Sequence, residues 1–136
     1  MSVTFSYEKS SSSILGTVYR PLAQVLFYSE PTQSWIKVDM LVDTGADYSL
    51  LPKYLAEELG INLKKDCQAL KTRGVGGNQK VYFLEKIKVK IGEMERMIPV
   101  GFLDSNDIPP LLGRHQFLET FEVTMSPKHT ITFSDQ

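Results

Sequence analysis

Apolar and polar residues alternate with a period of two over most of the chain, a pattern typical of β-strands. After Ile14 the pattern covers Val18 to Tyr28 and then, beyond a break at Pro31, Trp35 to Val42. In the second segment one face carries Ile36, Val38, Met40 and Val42. These positions predict strands that bury one side against a core.

The second half of the chain predicts four more strands. Alternation runs from Val81 to Ile91, Gly92 marks a turn, and a returning strand covers Arg96 to Leu103. Phe121 to Met125 and Thr130 to Phe133 flank a polar turn and indicate a hairpin. The sequence therefore predicts a mostly β fold.

Two short segments have helical spacing instead. Pro52 precedes the segment Lys53 to Leu59, and Gly60 follows it as a stop signal. A second helix is predicted from Arg114 to Thr120.

The beginning of the chain carries a weaker signal. Residues 1–13 end in the serine run Ser10 to Ser13, a composition that buries little surface. We predict a mobile amino-terminal extension over 1–13 and a single domain over 14–136, because 136 residues with 42% hydrophobic content suit one core.

Charge and cysteine content narrow the class of protein. The net charge of -1 leaves no positive excess for a phosphate backbone, so we expect no nucleic acid partner. Cys67 has no second cysteine to pair with, and the first residues lack a secretory signal. Without an apolar run of roughly 20 residues we expect no membrane partner either. A cytoplasmic location fits these features.

The main candidate for chemistry is the segment Leu41 to Asp47, where an apolar strand leads directly to Asp43 in a tight turn. An aspartate there is costly unless it is paired or hydrogen-bonded. Thr44 supplies a hydroxyl group, and Gly45 permits close approach of the backbone. One interpretation is an ordinary turn in which Asp43 caps a helix. The other is a catalytic carboxylate.

Three further segments decide between these interpretations. Asp43-Thr44-Gly45 is followed by Gly74-Val75-Gly76-Gly77 and by Pro110-Leu111-Leu112-Gly113-Arg114, and it is preceded by Tyr19-Arg20-Pro21-Leu22. In this order, from about Arg20 to Phe133, the chain resembles the retropepsins. The resemblance implies a retropepsin-like acid protease fold: a closed, β-barrel-like half with a flap hairpin and one or two short helices, paired as a twofold homodimer.

The resemblance also assigns roles to residues. The catalytic group it implies is Asp43, Thr44 and Gly45. The substrate-binding residues it implies are Ala46, Asp47, Gly74, Val75, Gly76, Pro109 and Leu111. Arg114 would hold Asp47 in its own subunit, Arg20 would reach the partner subunit's Asp47, and Gly113 would have a structural role near the dimer contact. Asp47 and Arg114 could equally be solvated surface charges, and Leu112 is better explained by the core.

A single aspartate implies a second chain. Hydrolysis of a peptide bond by carboxylates alone needs one group to accept a proton from water and one to donate a proton to the carbonyl oxygen. Two adjacent carboxylates that share a proton supply both, as in the aspartic proteases. This chain has one Asp-Thr-Gly, so a twofold axis must bring Asp43 of an identical copy to it. We therefore predict an aspartic endopeptidase that acts on polypeptides.

Several alternatives stay open. A dimeric binding or scaffold module could keep the fold without cleaving anything, and a monomer could pair only when substrate binds. We expect no cofactor and no metal, since His115, His129 and Cys67 lack zinc-site spacing. The start at Met1, the longer amino-terminal segment and the terminal hairpin favour a cellular over a viral member of the family.

Overall fold

The computed structural model describes residues 1–74 and 77–135 of the chain. Most of them are in strands, whose bounds are β1 Ser2–Ser6, β2 Glu8–Ser12, β3 Gly16–Arg20, β4 Leu22–Ser29, β5 Ser34–Val42, β6 Ser49–Pro52, β7 Gln68–Gly74, β8 Gly77–Ile91, β9 Met94–Leu103, β10 Leu111–Leu112, β11 Glu122–Ser126 and β12 Thr130–Ser134. The mostly β prediction is confirmed, and the strands predicted at 35–42, 96–103, 121–125 and 130–133 are present within one or two residues.

Seven strands form the main sheet, in the order β4-β5-β10-β6-β9-β8-β7. Strand β4 also pairs with β8, through Leu26 with Lys90 and Phe27 with Val89, which closes six of the strands into a ring. The barrel-like architecture predicted from the sequence is thus present. A β-bulge between Leu84 and Ile87 interrupts the β8–β9 ladder and helps this sheet to curve.

Strand β10 is only two residues long, yet it joins the two halves of the sheet. Leu111 and Leu112 run parallel to Leu41 and Val42 of β5, and Leu111 also pairs antiparallel with Leu50 of β6. The short strand therefore fills the gap beside the end of β5.

The amino-terminal segment differs from the prediction of a mobile extension. Strand β1 pairs along its whole length with β12, from Ser2 with Ser134 to Ser6 with Thr130. Residues 8–12 pair with β3 in a separate two-stranded sheet. The sequence missed this because Val3 and Phe5, which pack against the core, are too few to give a periodic signal.

The helices are short. Helix α1 spans Tyr54–Glu58 and confirms the helix predicted over 53–59, whereas α2, Leu63–Asp66, was not predicted. The short helix predicted over 114–120 is confirmed only in its last three residues: the chain makes turns and then a 3-10 helix, Leu118–Thr120. Gln116 has a positive φ of 58°, which interrupts helical geometry at that point.

Among the described residues, one hydrophobic cluster joins the main sheet to the terminal sheet, which has the strand order β1-β12-β11. Its largest fully buried side chains include Phe27, Phe102, Phe117, Phe133 and Met40. Phe133 brings β12 into the same core that the barrel strands enclose, so the terminal sheet packs as part of the domain. Within residues 1–74 and 77–135, no helix is long and apolar enough to cross a membrane.

Candidate active site

Asp43 follows the last residue of β5 and is held by two different segments. Its backbone N–H donates to the carbonyl oxygen of Leu112 at 3.0 Å, and its own carbonyl accepts from Ala46 N–H at 3.1 Å. The side-chain Oδ1 accepts from the Gly45 N–H at 3.0 Å. This last bond fixes the orientation of the carboxylate, which is half-buried while Thr44 and Gly45 are exposed.

Gly113 lies directly behind this turn. A Cβ built on Gly113 would stand 2.3 Å from the carbonyl carbon and 2.4 Å from the carbonyl oxygen of Tyr48. Both atoms belong to the backbone and cannot move aside without moving the chain. A glycine is therefore required for the segment after β10 to pass the segment after the Asp43 turn.

A buried serine stabilises the contact between the segment after β10 and the segment after the Asp43 turn. Ser49 is 1% exposed, and its Oγ accepts a hydrogen bond from the Gly113 N–H at 3.0 Å. One residue further on, Arg114 N–H donates to the Ala46 carbonyl at 3.0 Å. The N–H groups of Gly113 and Arg114 thus bind the segment after β10 to β6 and to the loop that carries the carboxylate.

Asp47 and Arg114 are brought together as the resemblance implied. Arg114 Nη2 donates to Asp47 Oδ1, and His115 N–H donates to the Asp47 carbonyl oxygen at 2.7 Å. The two side chains are 83% and 49% exposed, so the ion pair by itself adds little to stability. Its geometric effect is to orient the Asp47 carboxylate at the rim of the site.

Other predicted residues lie at the end of β3 and at β10. Arg20 ends β3 and is exposed, and its Nε donates to Ser10 Oγ at 3.2 Å. Pro109 is exposed and Leu111 is half-buried, whereas Leu112 is fully buried in the core, as the sequence favoured.

Strands β7 and β8 form the hairpin in which a flap was expected. Their ladder runs from Gln68 opposite Phe83 to Gly74 opposite Gly77. The predicted substrate-binding residues Val75 and Gly76 lie outside the described residues.

Beside the Asp47–Arg114 pair lies an open cleft of about 400 Å³. Its lining consists of Asp47, Tyr48, Phe83, Pro99, Arg114, His115 and Glu119. The Tyr48 and Phe83 rings meet edge to face at 5.6 Å and form an apolar wall. The cleft joins an apolar surface to charged groups, a combination suited to binding the side chain of an extended peptide.

Burial raises the pKa of the Tyr48 hydroxyl above its ordinary value, and the neighbouring Asp47 carboxylate raises it further. Both effects disfavour the phenolate, so Tyr48 faces the cleft as a neutral hydroxyl group.

Sequence reasoning missed Ser49, Tyr48 and the cleft. A small polar residue inside the apolar strand Ser49–Pro52 was the available signal for Ser49, because a buried hydroxyl needs a hydrogen-bond partner. No sequence pattern indicates the cleft, because its lining residues come from four separate stretches of the chain.

Comparisons with known proteins agree with this geometry. Residues 35–119 match the model of the family described as "gag-polyprotein putative aspartyl protease". Among solved structures, a retropepsin-like aspartic protease from Rickettsia conorii superposes with a TM-score of 0.69 at 20% sequence identity, covering 97% of this chain and 98% of that one. No curated protein matches the chain significantly. The match in structure shows the fold, and the family match spans the Asp-Thr-Gly turn and β10. The chain belongs to this aspartyl protease family and has the retropepsin-like fold.

Proposed function

We propose that the chain is an aspartic endopeptidase that hydrolyses peptide bonds as a homodimer, with one Asp43 from each copy. The observation that carries the proposal is the Asp43 turn: a carboxylate at the end of a core strand, fixed through Oδ1 by the Gly45 N–H at 3.0 Å. This bond is an Asx turn, and it presents the half-buried carboxylate in one orientation within the segment that matches the aspartyl protease family.

The partner is needed because the chemistry needs a second group. The two Asp43 carboxyl groups would share one proton. A water molecule between them would lose a proton to the ionised group and attack the scissile carbonyl carbon, while the protonated group gives its proton to the carbonyl oxygen, which yields a tetrahedral diol. The diol collapses with proton transfer to the leaving amine, and no acyl-enzyme forms. The sequence has one Asp-Thr-Gly. Twofold symmetry supplies the second from an identical chain.

The substrate would lie extended beneath the β7–β8 hairpin, as an added strand bonded to Gly45 and the flap. Ala46, Pro109 and Leu111 would line this path as apolar wall residues, while Gly74, Val75 and Gly76 would close over the substrate. In the dimer, Arg114 would present Asp47 to the Arg20 side chain of the partner, as a charge-assisted contact between subunits.

We also propose a cytoplasmic location. The one cysteine, Cys67, is a free thiol, which suits a reducing compartment.

The test compares Asp43→Asn with Asp39→Asn in a peptide-library cleavage assay at mildly acidic pH, with an aspartic-protease inhibitor as a second control. Asp39 is exposed on β5, four residues before Asp43, so its substitution changes the net charge equally without touching the turn. We expect Asp43→Asn to lower cleavage about 10²- to 10⁴-fold and Asp39→Asn to leave it unchanged.

Equal cleavage by the wild type and Asp43→Asn would exclude Asp43 as the catalyst. If the wild type forms dimers but cleaves no peptide, the scaffold module is the better explanation. Sedimentation with and without inhibitor separates a constitutive dimer from one that forms on substrate binding.

A further inference from the structure

The hairpin of β2 and β3 stands apart from the rest of the fold. Among the described residues, these two strands form a two-stranded sheet of their own, in register from Glu8 with Arg20 to Ser12 with Gly16. An isolated hairpin of this size is at best marginally stable in water. Something beyond its own ladder must hold it.

Its own chain supports the hairpin near the base. The Tyr19 ring stacks on His129 at 3.9 Å between centroids and 12° between planes, and Tyr7 lies 5.6 Å from the same imidazole. This contact fixes the direction of the hairpin at the turn between β11 and β12.

The tip is apolar and exposed. Ile14 and Leu15 are 89% and 73% exposed, the two highest values among the large hydrophobic side chains of the described residues. Hydrogen bonds hold their turn in one conformation: Ser12 Oγ accepts from the Ile14 and Leu15 N–H groups at 3.3 and 3.1 Å. An ordered turn that displays two adjacent aliphatic side chains has the character of a docking element.

The base of the hairpin lies next to the candidate catalytic aspartate. Pro21 follows Arg20 directly, and its carbonyl accepts the Val42 N–H at 2.9 Å, one residue before Asp43. If two Asp43 carboxylates meet on a twofold axis, the hairpin starts within a few residues of that axis. Five residues at about 3.3 Å each give it a reach of roughly 16 Å.

We propose that the β2–β3 hairpin is an intersubunit arm, whose Ile14–Leu15 tip packs on the second copy of the chain. The inference rests on the proposed homodimer and deepens it, because it names the segment that each copy contributes. Twofold symmetry provides two such arms in each dimer, so each tip finds the same surface on the other copy. The second copy is the occupant because the hairpin starts within a few residues of the proposed axis and has a reach of roughly 16 Å, so the surface nearest to the axis is that of the partner copy.

The first experiment measures the dimer dissociation constant of the full chain by sedimentation velocity. The variant is Ile14→Ser with Leu15→Ser, and the control is Tyr54→Ser with Met97→Ser, two side chains that are 46% and 51% exposed elsewhere on the surface. Loss of two buried aliphatic side chains per copy should raise the dissociation constant of the tip variant about 10- to 100-fold or more. The control should match the wild type, and the tip variant should recover activity at high protein concentration.

A second readout follows burial of the tip directly. In Leu15→Cys with Cys67→Ser, a polarity-sensitive dye on the new cysteine should shift its emission to the blue as the protein concentration rises through the dimer range. An unchanged emission, or a tip variant whose dissociation constant equals that of the wild type, would refute the intersubunit arm and leave the proposed peptidase activity unaffected. A wild type that neither pairs nor cleaves overturns both.

Discussion

Ser49 and Ser29 form a matched pair for testing how the candidate site is supported. Each is 1% exposed, and each makes one side-chain hydrogen bond to the backbone. Ser49 Oγ accepts from the Gly113 N–H at 3.0 Å, whereas Ser29 Oγ donates to the Leu59 carbonyl at 2.9 Å, at the end of α1. Ser49 thus stabilises the segment after β10, next to the candidate site, whereas Ser29 stabilises the end of α1.

Replacing either serine with alanine removes a hydroxyl group and leaves a buried backbone group without that partner, which costs about 1–3 kcal/mol. We expect a similar loss in the free energy of unfolding for both variants, measured by urea denaturation. Their effects on catalysis should differ. Gly113 follows Leu112, whose carbonyl holds the Asp43 N–H at 3.0 Å, so a shift at Gly113 is transmitted to the carboxylate.

A displacement of about 1 Å at a catalytic group can lower the rate on the order of 10²-fold. We therefore expect Ser49→Ala to reduce kcat/KM about 10- to 100-fold, and Ser29→Ala to leave kcat/KM unchanged under conditions where both variants are folded. Peptide cleavage at a fixed dimer concentration, well below the denaturation midpoint, is the assay. If the two variants lose activity equally, support of the carboxylate through Gly113 is refuted and general stability explains the loss.

The remaining predictions concern Gly113 and Tyr48. Gly113→Ala places a Cβ 2.3 Å from the backbone of Tyr48 and should cost at least about 3 kcal/mol of unfolding free energy, measured by urea denaturation; a loss under about 1 kcal/mol would contradict the steric argument. The pKa of Tyr48 is raised in the folded protein, so just above the ordinary value of 10.0 the folded protein binds more protons than the unfolded chain. The contribution of Tyr48 to the free energy of unfolding is therefore complete below pH 10.0 and is lost as the pH rises through the folded-state pKa. Ultraviolet absorbance of the phenolate, taken as the difference between the wild type and Tyr48→Phe, should show that Tyr48 loses its proton above the ordinary pKa of tyrosine. Asp47→Asn should reduce this rise in pKa without abolishing it. An ordinary tyrosine titration curve would refute the burial argument.

The sequence predicted those parts of the fold that depend on neighbouring residues. Strand β5 and the hairpin of β11 and β12 have uninterrupted alternation, and Pro52 and Gly60 bracket α1. The helix predicted at 114–120 was too long, because Gln116 adopts a positive φ and its N–H donates to Glu119 Oε1 at 3.1 Å, and only Leu118–Thr120 is helical. Such local side-chain bonds compete with helix formation and leave the apolar spacing unchanged.

Contacts between distant residues could not be predicted from periodicity. The hydrogen bond between Gly113 and Ser49 joins residues that are 64 positions apart, and the pairing of β1 with β12 joins residues more than 120 positions apart. The candidate site could be predicted in part from the sequence, because Asp43, Asp47 and Arg114 belong to short motifs. The supporting hydroxyl of Ser49 was not, since nothing in residues 49–52 indicates which distant backbone group it meets.

The insertion of β10 beside β5 also determines when the site can form. During synthesis the ribosome releases the Asp43 turn early, but the Leu112 carbonyl that holds it emerges some seventy residues later. A nascent chain that ends before residue 112 therefore contains the aspartate without its present backbone anchor. The carboxylate of an unfinished polypeptide therefore lacks the backbone hydrogen bond that holds it in the folded chain, and this arrangement can form only after residue 112 has been made.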